Sequence, residues 1–138
     1  MSVRADGRNR KVSLGPISES PSAYTEEVTF SFPGGDAELR YTYEWNGSLR
    51  SGGVRFVGVR AHAFRAESQC TPWHIEDAYD ELVEISYSDW LNDLVSASAD
   101  SPQMMKDVHH YLIYLDSTGA FEVAAAGFEW IDGKPLDA

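Results

Sequence analysis

The stretch CTPWHIEDAYD, from Cys70 to Asp80, gathers the only cysteine of the chain, one of its four histidines and three carboxylates. Cys70 and His74 stand four residues apart, and the adjacent His109 and His110 supply two more imidazoles. One chemistry these types permit is a zinc site with Cys70, His74, His109 and His110 as ligands. Structural zinc is normally announced by two close ligand pairs such as two CxxC units, and the chain carries no such spacing. Successive residues on a strand also point to opposite faces, so only one of His109 and His110 can easily face a shared metal. A second chemistry is a cysteine nucleophile, with His74 as base and Glu76 or Asp77 orienting it. Lone cysteines usually pack as small hydrophobes, and the surrounding letters match no nucleophile motif. The reading is therefore no catalytic set, no cofactor and no metal. A metal or small-ligand pocket near His74 and His109 or His110, in a minor hydrolase, is the alternative.

Two further patterns carry less. With 22 acidic side chains some carboxylate pair is always available, so a glycosidase-type pair is not identified by sequence. Gly34-Gly35 and Gly52-Gly53 are not followed by a helix opening with Lys-Ser or Lys-Thr, and both read as turns.

The same stretch contains a different candidate. Trp73 stands just before, and Trp90 within, a segment, Glu76 to Asp100, that has eight carboxylates and no Lys or Arg. Interfaces concentrate binding energy in buried Trp, Tyr and Arg ringed by polar groups. Trp73, Glu76, Asp77, Asp80, Glu81, Trp90 and Asp93 are thus the candidate partner-binding residues, and a protein with a basic surface is the expected partner. The net charge of −11 is unevenly spread, because Arg4, Arg8, Arg10 and Lys11 precede an acidic remainder. A chain of this balance repels phosphate, which argues against nucleic acid as a partner. Opposed charge, in contrast, accelerates and selects protein association.

The elements that must position these residues can be read in outline. At 138 residues the chain is long enough to bury a core without disulfides, and 43% hydrophobic residues with 12% aromatics argue against disorder in its bulk. It has no apolar run of membrane-spanning length and no signal-peptide pattern, so a cytoplasmic protein is expected. Residues 1–22 are polar and read as a flexible N-terminal tail, and residues 23–138 as a single globular domain. Order is expected from Thr25, with alternating Val28, Phe30 and Phe32 marking a strand. Ala37, Leu39, Tyr41, Tyr43 and Trp45 alternate in a second strand. Asn46-Gly47 opens a turn that Gly52-Gly53 closes, and Val54–Phe64 follows as a central strand with a bulge or close approach at Gly58. Thr71-Pro72 starts a helical turn or an extended lead into Val83-Ile85-Tyr87. Ser88-Asp89 opens a helix that turns Trp90, Leu91, Leu94 and Val95 inward and ends near Ala97, before the break at Asp100-Ser101-Pro102. Residues 108–131 form a long hairpin about Asp116–Gly119. The fold class is mainly β (α+β): an antiparallel sheet of about six strands, curled or sandwich-like, with one or two short helices. The aromatics Tyr41, Tyr43 and Trp45 read as core in preference to a barrel lining, and a homodimer by edge pairing is a further expectation.

Gly58-Val59-Arg60 through Trp73–Glu84, then Ser88-Asp89-Trp90-Leu91 and His109–Val123, resembles a family of small uncharacterised bacterial proteins. More loosely, the pattern is similar to the β-rich immunity proteins of polymorphic toxin systems. The resemblance covers about residues 28–131, includes no catalytic signature and carries over no functional residue. It implies a cytosolic, antitoxin-like binder that inhibits by occupying a partner's surface.

Overall fold

The computed structural model describes residues 8–17, 28–45, 47–97 and 107–135. In chain order the strands are β1 (Arg10–Pro16), β2 (Val28–Ser31), β3 (Ala37–Trp45), β4 (Ser48–Ala66), β5 (Glu81–Ser86), β6 (His109–Leu115) and β7 (Gly119–Pro135). Two helices, α1 (Pro72–Ile75) and α2 (Asp89–Ala97), flank β5. All seven strands form one antiparallel sheet in the order β1-β5-β6-β7-β4-β3-β2. Among the described residues no helix is long and apolar enough to cross a membrane. The expected onset at Thr25, the Asn46 corner, the Trp45 side chain and the break at Asp100-Ser101-Pro102 lie outside the described residues.

Period-two patterning explains how one sheet makes two cores. On β6, Tyr111, Ile113 and Leu115 join Leu39, Tyr41, Tyr43, Val54 and Phe56 in the larger cluster. Their neighbours Leu112 and Tyr114 point the other way, to a smaller cluster with Ala78, Val83, Ile85 and Ala120. Each fully buried Leu, Ile or Phe contributes about 2 kcal/mol by leaving water. Among the described residues no helix covers the larger cluster; the sheet curls over it instead. Phe30 of edge strand β2 stacks on Phe121 of β7 with ring centroids 5.6 Å apart, although two strands separate them in the sheet. Tyr41 and Tyr43 are buried in this core, so these two aromatics of β3 are packing.

Three expectations change. The tail reading of residues 1–22 fails over Arg10–Pro16, which form β1 and pair with β5 from Arg10↔Ser86 to Pro16↔Glu81. An edge strand needs only one apolar contact face, and RKVSLGP supplies little more than Leu14; Val12 is exposed. Its basic residues, the register shift between Ser13 and Gly15 and the terminal Pro16 are the devices that keep an edge from pairing further. This strand is the seventh, beyond the six expected. Second, α2 turns no fully buried residue inward, and Val95 is exposed.

Third, Gly52-Gly53 does not close a turn. The register runs Trp45↔Ser48, so the connection is two residues, and both glycines lie within β4 where the pairing shifts between Ser51 and Gly53. A Cβ at Gly53 would stand 1.9 Å from the Leu39 carbonyl oxygen of the neighbouring strand, whereas one at Gly52 meets nothing closer than 3.5 Å. Of the bulge or close approach expected at Gly58, the structure has the close approach there, with φ 64° and a Cβ that would stand 3.2 Å from Ala126 Cβ, while the register shift falls just beyond, between Val59 and Ala61. Gly53→Ala should therefore cost on the order of 3 kcal/mol and Gly52→Ala less than about 1 kcal/mol, as urea unfolding of the two variants will measure.

Candidate functional site

The residues that come together lie on the face of the sheet that carries the smaller core. α1 is short because Pro72 can only open a helix and Asp77 leaves it with φ 62°. The Thr71 backbone N–H donates to His74 Nδ1 at 3.0 Å, which fixes that nitrogen as an acceptor and leaves the proton of the neutral ring on Nε2. His74 Nε2 faces Glu122 Oε2 of β7 at 3.8 Å. From β6, His110 Nε2 donates to the other oxygen of the same carboxylate, Oε1, at 2.8 Å. Its Nδ1 lies 2.7 Å from Ser88 Oγ, which also accepts the Leu91 N–H at 3.0 Å in the first turn of α2. One carboxylate thus joins two imidazoles delivered by a helix and a strand.

Around this cluster lies a pocket of about 260 Å³ lined by Asn9, Trp73, Trp90, His110 and Glu122. Trp90 packs edge-on against His110 with centroids 4.7 Å apart, and Trp73 packs edge-on against His74 at 5.4 Å. Asn9 is locked in place by Asp89, accepting its N–H at 2.9 Å and donating to its carboxylate at 2.8 Å. Lys11 of β1 places its ammonium 4.7 Å from the centroid of the Trp73 ring and donates to the Trp73 and Glu76 carbonyls. Arg8 approaches Asp89 at 3.7 Å. The basic N-terminal residues therefore do not stand apart from the acidic segment; Arg8 and Lys11 lie against it.

Burial and neighbouring charges shift His74 and Glu122. The side chains of His74, His110 and Glu122 are 8%, 3% and 18% exposed. Burial lowers the His74 pKa below the ordinary histidine value, with Arg65 and Lys11 acting in the same direction and Glu122 opposing. Burial alone would raise Glu122, but the His110 hydrogen bond and the charges of His110, His74 and Arg65 outweigh it and hold the carboxyl below its usual range. Burial also lowers Lys11, against the pull of Asp77, Glu76 and Glu122.

The predicted residues divide sharply. Trp73 and Trp90, on different helices, meet at one pocket. Glu76, Asp77 and Asp93 are exposed on the same part of the chain. Asp80 serves the fold: its carboxylate accepts the Asp116 N–H at 3.3 Å, its φ is 52°, and its backbone pairs with Tyr114. Glu81 is held by Ser13 of β1. Of the four metal candidates, only His74 and His110 converge. His109 points to the other face, 2.7 Å from Glu84, and the Cys70 thiol donates to the Arg65 carbonyl at 3.4 Å. Among the described residues no group of three or more His, Cys, Asp and Glu is arranged to hold a metal ion. Serine, imidazole and carboxylate in series are also the parts of a nucleophilic triad, but Ser88 is buried, caps α2 and does not line the pocket.

Sequence reasoning missed Glu122, Asn9 and Tyr87. Glu122 had a signal: it lies between the core residues Phe121 and Val123 and shares a face with the buried Ala120 and Ala124, where an unpaired carboxylate is too costly to keep. Tyr87, 74% exposed with φ 52°, is the most exposed large apolar side chain described, and its carbonyl accepts the Asn9 N–H at 3.0 Å. Comparison with protein-family models, curated proteins and solved structures returned no match.

A histidine in the unfolded chain titrates near about 6.5. Because His74 titrates lower in the fold, the unfolded state binds more protons as pH falls below that value, and stability falls with it. Loss of the Glu122 carboxylate has the same sign at still lower pH. The urea midpoint should drop between about pH 7.5 and about pH 5.5, and His74→Gln should shrink that drop; an equal drop in both proteins contradicts the assignment.

Proposed function

We propose that this chain is a non-enzymatic interaction protein that docks a basic partner on the acidic face running from Trp73 to Asp93. The observation that carries the reading is the meeting of Trp73 and Trp90 at one pocket containing the Glu122 carboxylate. Seventeen residues apart in sequence and on separate helices, they have no need to meet for local packing. Half-buried indoles beside a carboxylate, with Tyr87, Glu76, Asp77 and Asp93 exposed around them, match the anatomy of a hot spot with a polar rim. The resemblance to immunity proteins points the same way, toward inhibition by occupation of a partner's surface, with a basic toxin as the fitting partner.

Charge reversal tests this. Asp80 and Glu81 support the fold and make poor probes, whereas Glu76, Asp77 and Asp93 are exposed. The double variant Glu76→Lys, Asp93→Lys, which spares the left-handed Asp77, should fold and should bind the partner captured by the wild-type chain roughly tenfold or more weakly, with much of the loss in association rate. Glu44→Lys with Glu129→Lys, exposed on β3 and β7, is the control and should leave binding intact. Equal loss in both variants, or in neither, overturns the reading.

A further inference from the structure

The pocket has a size, a charge and walls, and together they select a ligand group. Its volume of about 260 Å³ falls below the roughly 300–1,000 Å³ typical of cofactor- and drug-sized sites, so it suits a single side chain. Its charge is the Glu122 carboxylate, held below the usual carboxyl range and hence ionised at neutral pH. His110 donates to one oxygen at 2.8 Å, His74 stands 3.8 Å from the other, and a carboxylate has about four lone-pair sites, so acceptor capacity remains. The walls are indoles, on whose faces cations and planar guanidinium groups stack. Lys11 already shows that the Trp73 ring attracts a cation, at 4.7 Å from its centroid. That ammonium is committed to the Trp73 and Glu76 carbonyls, and Arg65 donates to the Gln69 carbonyl at 3.3 Å.

We propose that the pocket receives the guanidinium group of a partner's arginine between Trp73 and Trp90 with Glu122 as its counter-ion, and that protonation of His74 releases it. This rests on the interaction reading above. The groups facing the cluster are His74 of α1, His110 of β6 and Glu122 of β7, with Lys11 of β1, Arg65 of β4 and the carboxylates Glu76 and Asp77 around them. Asp89 of α2, paired with Arg8, adjoins through Asn9. With His74 neutral, the pair it makes with Glu122 carries one negative charge; with His74 protonated the pair carries none, while arginine stays charged throughout. The carboxylate that attracts the guanidinium is then already neutralised from within. Because burial keeps His74 from protonating until below the ordinary histidine range, the release falls on the acid side of that value.

The test uses the full chain and N-acetyl-arginine methylamide, with the neutral isostere N-acetyl-citrulline methylamide as control, followed through the indole N–H signals of Trp73 and Trp90 by NMR. At about pH 7.5 the arginine probe should shift both signals saturably and the citrulline probe neither. At about pH 5.5 the arginine affinity should be about tenfold weaker, within the usual range for coupling between two binding events, and His74→Gln should reduce that ratio. Citrulline binding as well as arginine, no saturable shift, or one affinity at both pH values overturns the proposal. If arginine fails while reversal of Glu76 and Asp93 still abolishes partner capture, the arginine pocket falls and the interaction reading stands. If arginine binds while the reversal leaves capture intact, the interaction reading falls and takes the partner assignment with it.

Discussion

Glu122 is a carboxylate placed on the inward face of the central strand of a seven-stranded sheet, and the face around it is built to keep it charged. Isolated there it would be expelled or protonated, since leaving a buried charge without its partner costs about 3–5 kcal/mol. Its partners come from three directions. His110 reaches it across the β6–β7 ladder, His74 arrives on α1, and Ser88 at the start of α2 orients His110 from behind. Both helices are thereby tied to one point on the sheet. Trp73 and Trp90 follow, because each sits next to or against one of those histidines.

The two-core arrangement makes this possible. Curling of the sheet lets β2 and β3 complete the larger core without any helix among the described residues, which frees the other face of β5, β6 and β7 for α1 and the segment 76–80. That segment is stitched to β6 by hydrogen bonds between Asp80 and Tyr114 at 2.7 Å and between Tyr114 and Ala78 at 2.9 Å. Left-handed backbone at Asp77 and Asp80 falls on a residue type that tolerates it. Part of the local acidity is thus a requirement of the turn, and part remains at the surface for a partner.

Much of the fold was legible because period-two alternation is direct: β3 and the β6–β7 hairpin both follow from it. β1 was not legible, because an edge strand with one useful apolar contact has the composition of a tail; its partner β5, not its own sequence, makes it a strand. The glycine pair in β4 misled for a related reason, since a close approach between strands and a turn use the same residue. At the site, the Trp pair and the exposed carboxylates could be named from type and spacing. Glu122 could not be coupled to His74 and His110, since its pairing joins residues 48 and 12 positions away and depends on the register of β6 with β7. The opening stretch, read for Cys70 and His74, contains half of the answer: His74 belongs to the site through a carboxylate, and Cys70 does not.

The account depends most on the state of the two imidazoles, and their ring nitrogens report it. Long-range proton–nitrogen NMR correlations on the full chain at neutral pH should show His74 and His110 protonated at Nε2, with His74 Nδ1 bare and accepting from Thr71. A His74 ring protonated at Nδ1 would lose its bond from Thr71, and a His110 Nε2 without its proton would deprive the central carboxylate of its hydrogen-bond donor; either result contradicts this arrangement.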